Sequence, residues 1–368
     1  MPRDITHVIL ADEAAKIAKV KEINDNPDAF HMGCVADDSF LYTSSPKLST
    51  RLHGGLGDDT RAVVLEMMDI LKTEDEPEVA AEQKAFVCGY LCHMATDLTF
   101  HPLIYSISGS QLESNNRSET YADISKACHR YAETWLDLHL MKRKNKSFKN
   151  FRPFRKIVKQ IAMRFRLDDF FTDSYQNALK AKKHTWGDNF ELQALFHQGM
   201  TVQFLVNKIT QNQTIAGMLR RLDEVLHGGL KLYTSGFYDF DREIPQLLTA
   251  GSFVHPTTGE TIKKSIADLE HDAVECSVMF IKAADDYIKS GDKEAFLKVV
   301  PNINLDTGIV NSKLRDIRKR VTLRDLVSVI GRHKPSSDDE KNTGDSKISD
   351  KVKGVWEYFK GDPREQEY

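Results

Sequence analysis

This sequence lacks a membrane span: its longest uncharged apolar run, Ala85 to Met94, covers ten residues, against the roughly 20 that a bilayer crossing requires. It also lacks a disulfide or thiolate-metal framework, because its five cysteines (Cys34, Cys88, Cys92, Cys128 and Cys276) form no CxxC pair and follow no regular spacing. They read as free thiols of a reducing compartment. A charge excess is missing too: 51 Lys and Arg against 54 Asp and Glu leave a net −3, which excludes a histone-like or acidic-tail protein. Asp4, Asp12 and Glu13 stand where a secretory leader needs an unbroken apolar core, so the expectation is a cytoplasmic protein, peripheral to membranes at most. Alternating apolar and polar residues, the mark of half-buried strands, are nearly absent.

What the chain does have is helical periodicity. It runs through Val8 to Ile23, Thr60 to Leu71, Pro77 to Thr99, Glu119 to Met141, Phe151 to Phe165, Leu167 to Lys182, Asn189 to Thr210 and Thr261 to Lys289. Within Thr60 to Leu71, for instance, Val63, Val64, Met67, Met68 and Leu71 share one face and Arg61, Glu66 and Asp69 lie elsewhere. Gly251 to Glu260 reads as a turn or small hairpin between helices. The expected architecture is all-α: a multi-helix bundle over residues 1–185, a second helical region over 186–332, and a disordered linker and tail over 333–368. The Pro, Ser, Asp, Lys and Gly-rich run Lys334 to Asp350 is the linker.

Seven of the thirteen histidines fall in the first 140 residues, and their spacing matters more than their number. His93, Asp97 and His101 stand at i, i+4 and i+8, so on a helix they project from nearly one face, drifting about 40° per step. The flanking Phe86, Val87, Leu91, Leu98 and Phe100 are apolar enough to bury that helix, and Pro102 is expected to end it. His129, Glu133 and Asp137 repeat the spacing. Two such stripes facing each other would gather imidazole and carboxylate inside a bundle, where multi-metal carboxylate sites are built. A donor set without thiolate suits zinc, with manganese or iron open from donor type alone. Taken singly, either stripe would also serve as an i, i+4 ion pair.

In order along the chain stand Thr6-His7, Gly33-Cys-Val-Ala-Asp37-Asp38, His53-Gly54, Gly89-Tyr-Leu-Cys-His93-x-x-x-Asp97, His101-Pro102 and His129-x-x-x-Glu133. This ordered set resembles the zinc-dependent phospholipase C family, related to the amino-terminal domain of glycosylphosphatidylinositol-specific phospholipase D. The resemblance covers about residues 1 to 140. It implies that Asp38, His53, His93 and Asp97 surround one zinc and that Asp97 bridges to a second held by His7. His101, His129 and Glu133 would hold the remaining ion, giving two or three Zn2+ in all. Two departures stand out. Asp37-Asp38 replaces the family's frequent Pro-Asp, so Asp38 is chosen by its distance from Gly33, with Asp37 as the fallback. Secreted members also use an amine freed by leader cleavage as a zinc ligand, and with no cleavage expected here the metal at His7 is weakened or lost. Asp137 is expected to support a ligand rather than to bind metal.

The resemblance implies metal-assisted hydrolysis of a phosphodiester, most simply of a phospholipid, with Asp38 orienting the attacking water. Three functions follow: a phospholipase C-type hydrolase, a nuclease like the single-strand-specific zinc group, or a metal-stabilised interaction protein without activity. From Lys142 to Arg166 eleven Lys or Arg occur with no acidic residue, interleaved with Phe148, Phe151, Phe154 and Phe165. This stretch would suit an anionic membrane surface, with nucleic acid the weaker alternative, or simply a bundle helix with a solvated basic face. Nothing in the sequence specifies an oligomeric state.

Overall fold

A helix that is apolar on every side belongs in the middle of a protein, and Pro77 to Ser108 is such a segment: nearly every residue from Ala85 to Asp97 is buried. The computed structural model describes residues 3–109, 119–148, 151, 166–182, 189–225, 235–238, 248 and 250–317. It places that segment at the centre as a single helix of 32 residues, about 48 Å long. In chain order the helices are α1 (Asp4–Ala18), α2 (Lys21–Asp25), α3 (Pro27–Ala36), α4 (Lys47–Leu52), α5 (Ala62–Leu71), α6 (Pro77–Ser108) and α7 (Glu119–Arg143). They continue as α8 (Arg166–Ala181), α9 (Asn189–Thr210), α10 (Gln213–Val225), α11 (Ile266–Ser290) and α12 (Lys293–Val299). Two antiparallel hairpins, β1 (Phe253–Val254) with β2 (Thr261–Ile262) and β3 (Ile303–Asn304) with β4 (Ile309–Val310), supply the strands among the described residues. The expected all-α bundle is thus the observed architecture.

Three expected boundaries are corrected. Val8 to Ile23 is not one helix, because Lys19 adopts a left-handed conformation and its N–H caps Ala15, so the chain turns before α2. Thr261 is not the start of a helix. Thr261 and Ile262 pair with Val254 and Phe253, and α11 begins only where Ser265 and Asp268 form a reciprocal capping box. Pro102 does not end α6. Proline denies Leu98 O its helical donor, yet Leu103, Ile104 and Ile107 one turn on are buried, and their burial outweighs the lost bond. Gly308 lies over the gap, since a Cβ there would sit 3.0 Å from the Pro102 ring and 3.1 Å from Leu98 O. Of the segment expected to be helical over Phe151 to Phe165 only Phe151 is described, and it is not in a helix; residues 152–165, the linker and the tail lie outside the described residues.

Two glycines set how the site is assembled. A Cβ on Gly89 would lie 1.9 Å from Phe30 O, and one on Gly33 would lie 2.1 Å from Phe86 O. The backbones of α3 and α6 therefore touch, and α3 runs straight into the 3-10 turn Asp37–Tyr42 beside His93. Helix α9 braces that turn from the other side, with Gly199 so close that a Cβ would lie 2.3 Å from Ser39 O. The core crosses residue 185 without a break: Phe171 packs 4.9 Å from Phe196, and Phe40 packs 5.9 Å from Phe196, ring centre to ring centre. Gly89→Ala should therefore lower stability by about 2 kcal/mol or more, the range for overpacking a tight core. Urea denaturation checks this, and an unchanged midpoint would show that the helices part without penalty.

Candidate metal centre

Four imidazoles of the predicted set, those of His53, His93, His101 and His129, each have a hydrogen-bond partner behind the ring. His53 Nδ1 donates to Ser49 O at 2.7 Å, His93 Nδ1 to Cys34 O at 3.0 Å, and His101 Nδ1 to Leu305 O at 2.8 Å. His129 Nδ1 lies 3.1 Å from Ser108 Oγ. Where Nδ1 donates to a carbonyl, Nε2 is left as the lone-pair nitrogen facing the interior, the arrangement in which a ligand histidine is oriented by its surroundings.

The interior feature they face is Asp97, fully buried on α6. Its Oδ2 is 3.1 Å from His53 Nε2 and 3.2 Å from His93 Nε2. Its Oδ1 is 3.3 Å from His7 Nε2 and 3.6 Å from His101 Nε2. One carboxylate thus addresses two pairs of imidazoles with its two oxygens. Asp38 joins from the 3-10 turn, with Oδ1 3.6 Å from His53 Nε2 and 3.8 Å from His93 Nε2. Asp38, His53, His93 and Asp97 each offer a donor atom within 4.8 Å of all the others. Asp37 is also buried and close, 3.6 Å from His93 Nε2 and 3.9 Å from His53 Nε2.

The remaining predicted residues take different places. His7 stacks on His93, ring centres 4.3 Å apart and 18° from parallel, and touches the cluster through Asp97. His101 meets the cluster through the same carboxylate, and His129 lies beyond it, 6.2 Å away between ring centres. Glu133 Oε1 is 2.9 Å from His129 Nε2, so the second stripe forms its own close pair one step out from Asp97. Asp137 has no ion pair or hydrogen bond to a histidine among the described residues. It accepts from Thr6 N at 2.8 Å, Thr6 Oγ1 at 2.6 Å and Tyr238 OH at 2.6 Å, and so anchors the first turn of α1 just before His7.

Spacing did not point to Asp306. It sits in the turn between β3 and β4, buried, with Oδ1 3.5 Å from His101 Nδ1 and 3.4 Å from Tyr105 OH. Asp306-Thr-Gly308 carries a turn signal, but nothing in the sequence ties that turn to His101. The other described histidines lie elsewhere: His31 pairs with Asp12, His139 stacks on Trp135, His197 faces Asp168, and His271 pairs with Glu275 at the surface. His255 lies beside the β1–β2 hairpin. His184, His227 and His333 lie outside the described residues.

The donor atoms fit a divalent cation better than they fit one another. Both nitrogens of His7, both oxygens of Asp97, Asp38 Oδ1 and His101 Nε2 are buried with no hydrogen-bond partner, each costing about 1–3 kcal/mol unless something else satisfies it. The protein groups can compensate each other only by awkward protonation. Burial, with the neighbouring Asp97 charge, pushes Asp38 up to about 8. Burial alone would lower His93, but Asp97 and Asp38 outweigh it and hold the ring at about 9. Burial and the nearby His93 depress His7 to about 4. Burial would raise Asp97, yet His101, His93 and His7 hold it well below the usual carboxylate range. A cation would reverse this pattern, ionising the carboxylates and leaving every imidazole neutral.

Residues 6–185 match the family model described as zinc dependent phospholipase C. No curated protein and no solved structure matches the chain. The buried Asp and His cluster fits zinc, the metal of that family. Among the described residues no helix is long and apolar enough to cross a membrane.

A proton count tests the electrostatics. At pH 7 a carboxyl at about 8 and an imidazole at about 9 carry protons, and a cation must displace them to bind there. Zinc uptake at pH 7 should therefore release at least one proton per chain, and affinity should rise as pH rises from 6 to 9. Calorimetry in buffers of differing ionisation enthalpy measures the release; uptake without protons would mean that the groups are already in their ligand forms.

Proposed function

We propose that the chain is a zinc-dependent phosphodiester hydrolase of the phospholipase C type, acting on phospholipid. The observation that carries this reading is the placement of Asp97, whose two oxygens each face a different pair of imidazoles. Asp38, His53, His93 and Asp97 would hold one zinc, Asp97 and His7 a second, and His101, His129 and Glu133 the remaining ion. Bound zinc would supply a water of lowered pKa and positive charge against the phosphoryl oxygens and leaving alkoxide. The chain's own contribution is orientation. The carbonyls of Ser49, Cys34 and Leu305 keep Nε2 of His53, His93 and His101 aimed inward, and Asp38, whose Oδ1 faces the imidazoles, would orient the attacking water through its other oxygen. In this reading residues 1–185 carry the zinc ligands, and α9 and the β3–β4 hairpin brace them.

The described part of the basic stretch is already engaged within the protein. Arg143 pairs with Glu270 at 2.6 Å, Lys144 with Glu13 at 2.5 Å, and Lys146 with Asp12 at 3.9 Å. Contact with an anionic membrane through 142–166 would fall instead on Lys149 and residues 152–165, which lie outside the described residues.

The purified chain with zinc should cleave phosphatidylcholine vesicles and bis-aryl phosphate in preference to single-stranded DNA. Asp38→Asn should lose about 10²- to 10⁴-fold in kcat and bind the zinc it helps to hold more weakly. Asp97→Ala should lose zinc and activity together. Cleavage confined to DNA would transfer the site to the nuclease reading, and zinc-bound protein inert toward all three substrates would make the metal structural.

A further inference from the structure

The β3–β4 hairpin comes from a part of the chain that the family match does not reach, yet it is built into the cluster. Leu305 N donates to His53 O at 2.9 Å, and Leu305 O accepts from His101 Nδ1 at 2.8 Å. One residue thus joins the loop that carries one imidazole to the helix that carries another. Asn304 Nδ2 donates to Gly54 O at 2.8 Å, and Thr60 Oγ1 donates to Ile303 O at 3.0 Å, which fastens the hairpin along the His53–Thr60 loop. Asp306 N and Thr307 N both donate to Asn304 Oδ1 at 2.9 Å. This closed turn gives the Asp306 carboxylate little freedom.

That carboxylate has no evident task in packing. A buried carboxylate is costly unless charge or hydrogen bonds face it, and this one lies beside the His101 imidazole, with Tyr105 OH as a hydrogen-bond donor. His101 Nδ1 already has an acceptor in Leu305 O, so a neutral turn would satisfy the ring. What Asp306 adds is negative charge behind an imidazole whose opposite nitrogen faces Asp97 Oδ1. A carboxylate behind a ligand histidine fixes its tautomer and raises its basicity.

We infer that Asp306 is a positioning residue for His101: together with Leu305 O it holds the proton on Nδ1 and strengthens Nε2 as a metal ligand. The metal-binding unit of this chain then extends past the family match to residues 302–317. The inference rests on the reading that His101 binds zinc, and the experiment separates the two. The full chain is stripped of metal and titrated with zinc against a chromophoric chelator, as wild type, Asp306→Asn, Asp306→Glu and His101→Ala.

The expected result is that wild type binds two or three ions and that Asp306→Asn weakens one of them by about 10- to 100-fold. His101→Ala should weaken that same ion, and Asp306→Glu should recover part of the loss. The zinc-free melting temperature of Asp306→Asn should stay near that of wild type, which a merely structural role for the turn would not allow. Wild type that binds no zinc overturns the reading of His101 as a ligand. Wild type that binds zinc with affinities unchanged in Asp306→Asn, or weakened equally at every ion, overturns the inference about Asp306 alone. If Asp306→Asn does not fold, Asp306→Ser is titrated in its place and read in the same way.

Discussion

A carboxylate buried among four imidazoles is the constraint around which this protein is arranged. Asp97 sits in the buried stretch of the central helix α6, where an unpaired charge would be untenable. Its neighbours relieve that cost from both sides, His53 and His93 at one oxygen and His7 and His101 at the other. Four histidines packed so closely would repel one another as cations, and the added Asp37 and Asp38 would repel Asp97 as anions. A zinc ion between the donors would supply the concentrated positive charge that a site of this composition calls for.

Everything that touches the cluster from outside serves its geometry. Gly33 and Gly89 let α3 and α6 meet backbone to backbone, which brings the Asp37–Asp38 turn within reach of His93. Gly199 lets α9 close on that turn, and Gln203 and Asn207 of the same helix hold Asp4 near the start of α1 through amide donors, the Asn207 bond being 2.7 Å. Asp137 and Tyr238 complete the grip on Thr6, the residue before His7. The second helical region is therefore not an appendage. It braces two of the segments that carry donor atoms, and the β3–β4 hairpin braces a third and a fourth.

The legible part of the site was the part written on single helices. His93, Asp97 and His101 could be placed on one face because 3.6 residues per turn brings i, i+4 and i+8 into line, and the structure keeps all three on α6 even though Pro102 argued for a stop. His7, Asp38 and His53 could not be placed by periodicity, since a short helix, a 3-10 turn and a loop carry them; only their order along the chain and its likeness to a family marked them. Asp306 was illegible by either route. Its turn is recognisable, but the contact with His101 spans more than 200 residues and depends on Gly308 fitting over Pro102. The same non-locality explains the misplaced boundaries: Thr261 has helical company in sequence, but strand pairing with Val254 and the Ser265 cap decide where α11 begins.

The most direct test of the account is an anomalous difference map at the zinc edge from crystals of the full chain grown with zinc. The account predicts a peak enclosed by Asp38, His53, His93 and Asp97 Oδ2, and a second on the Oδ1 side of Asp97. Well-ordered Asp97 with no peak on either side, its oxygens bonded instead to protonated imidazoles, would contradict it.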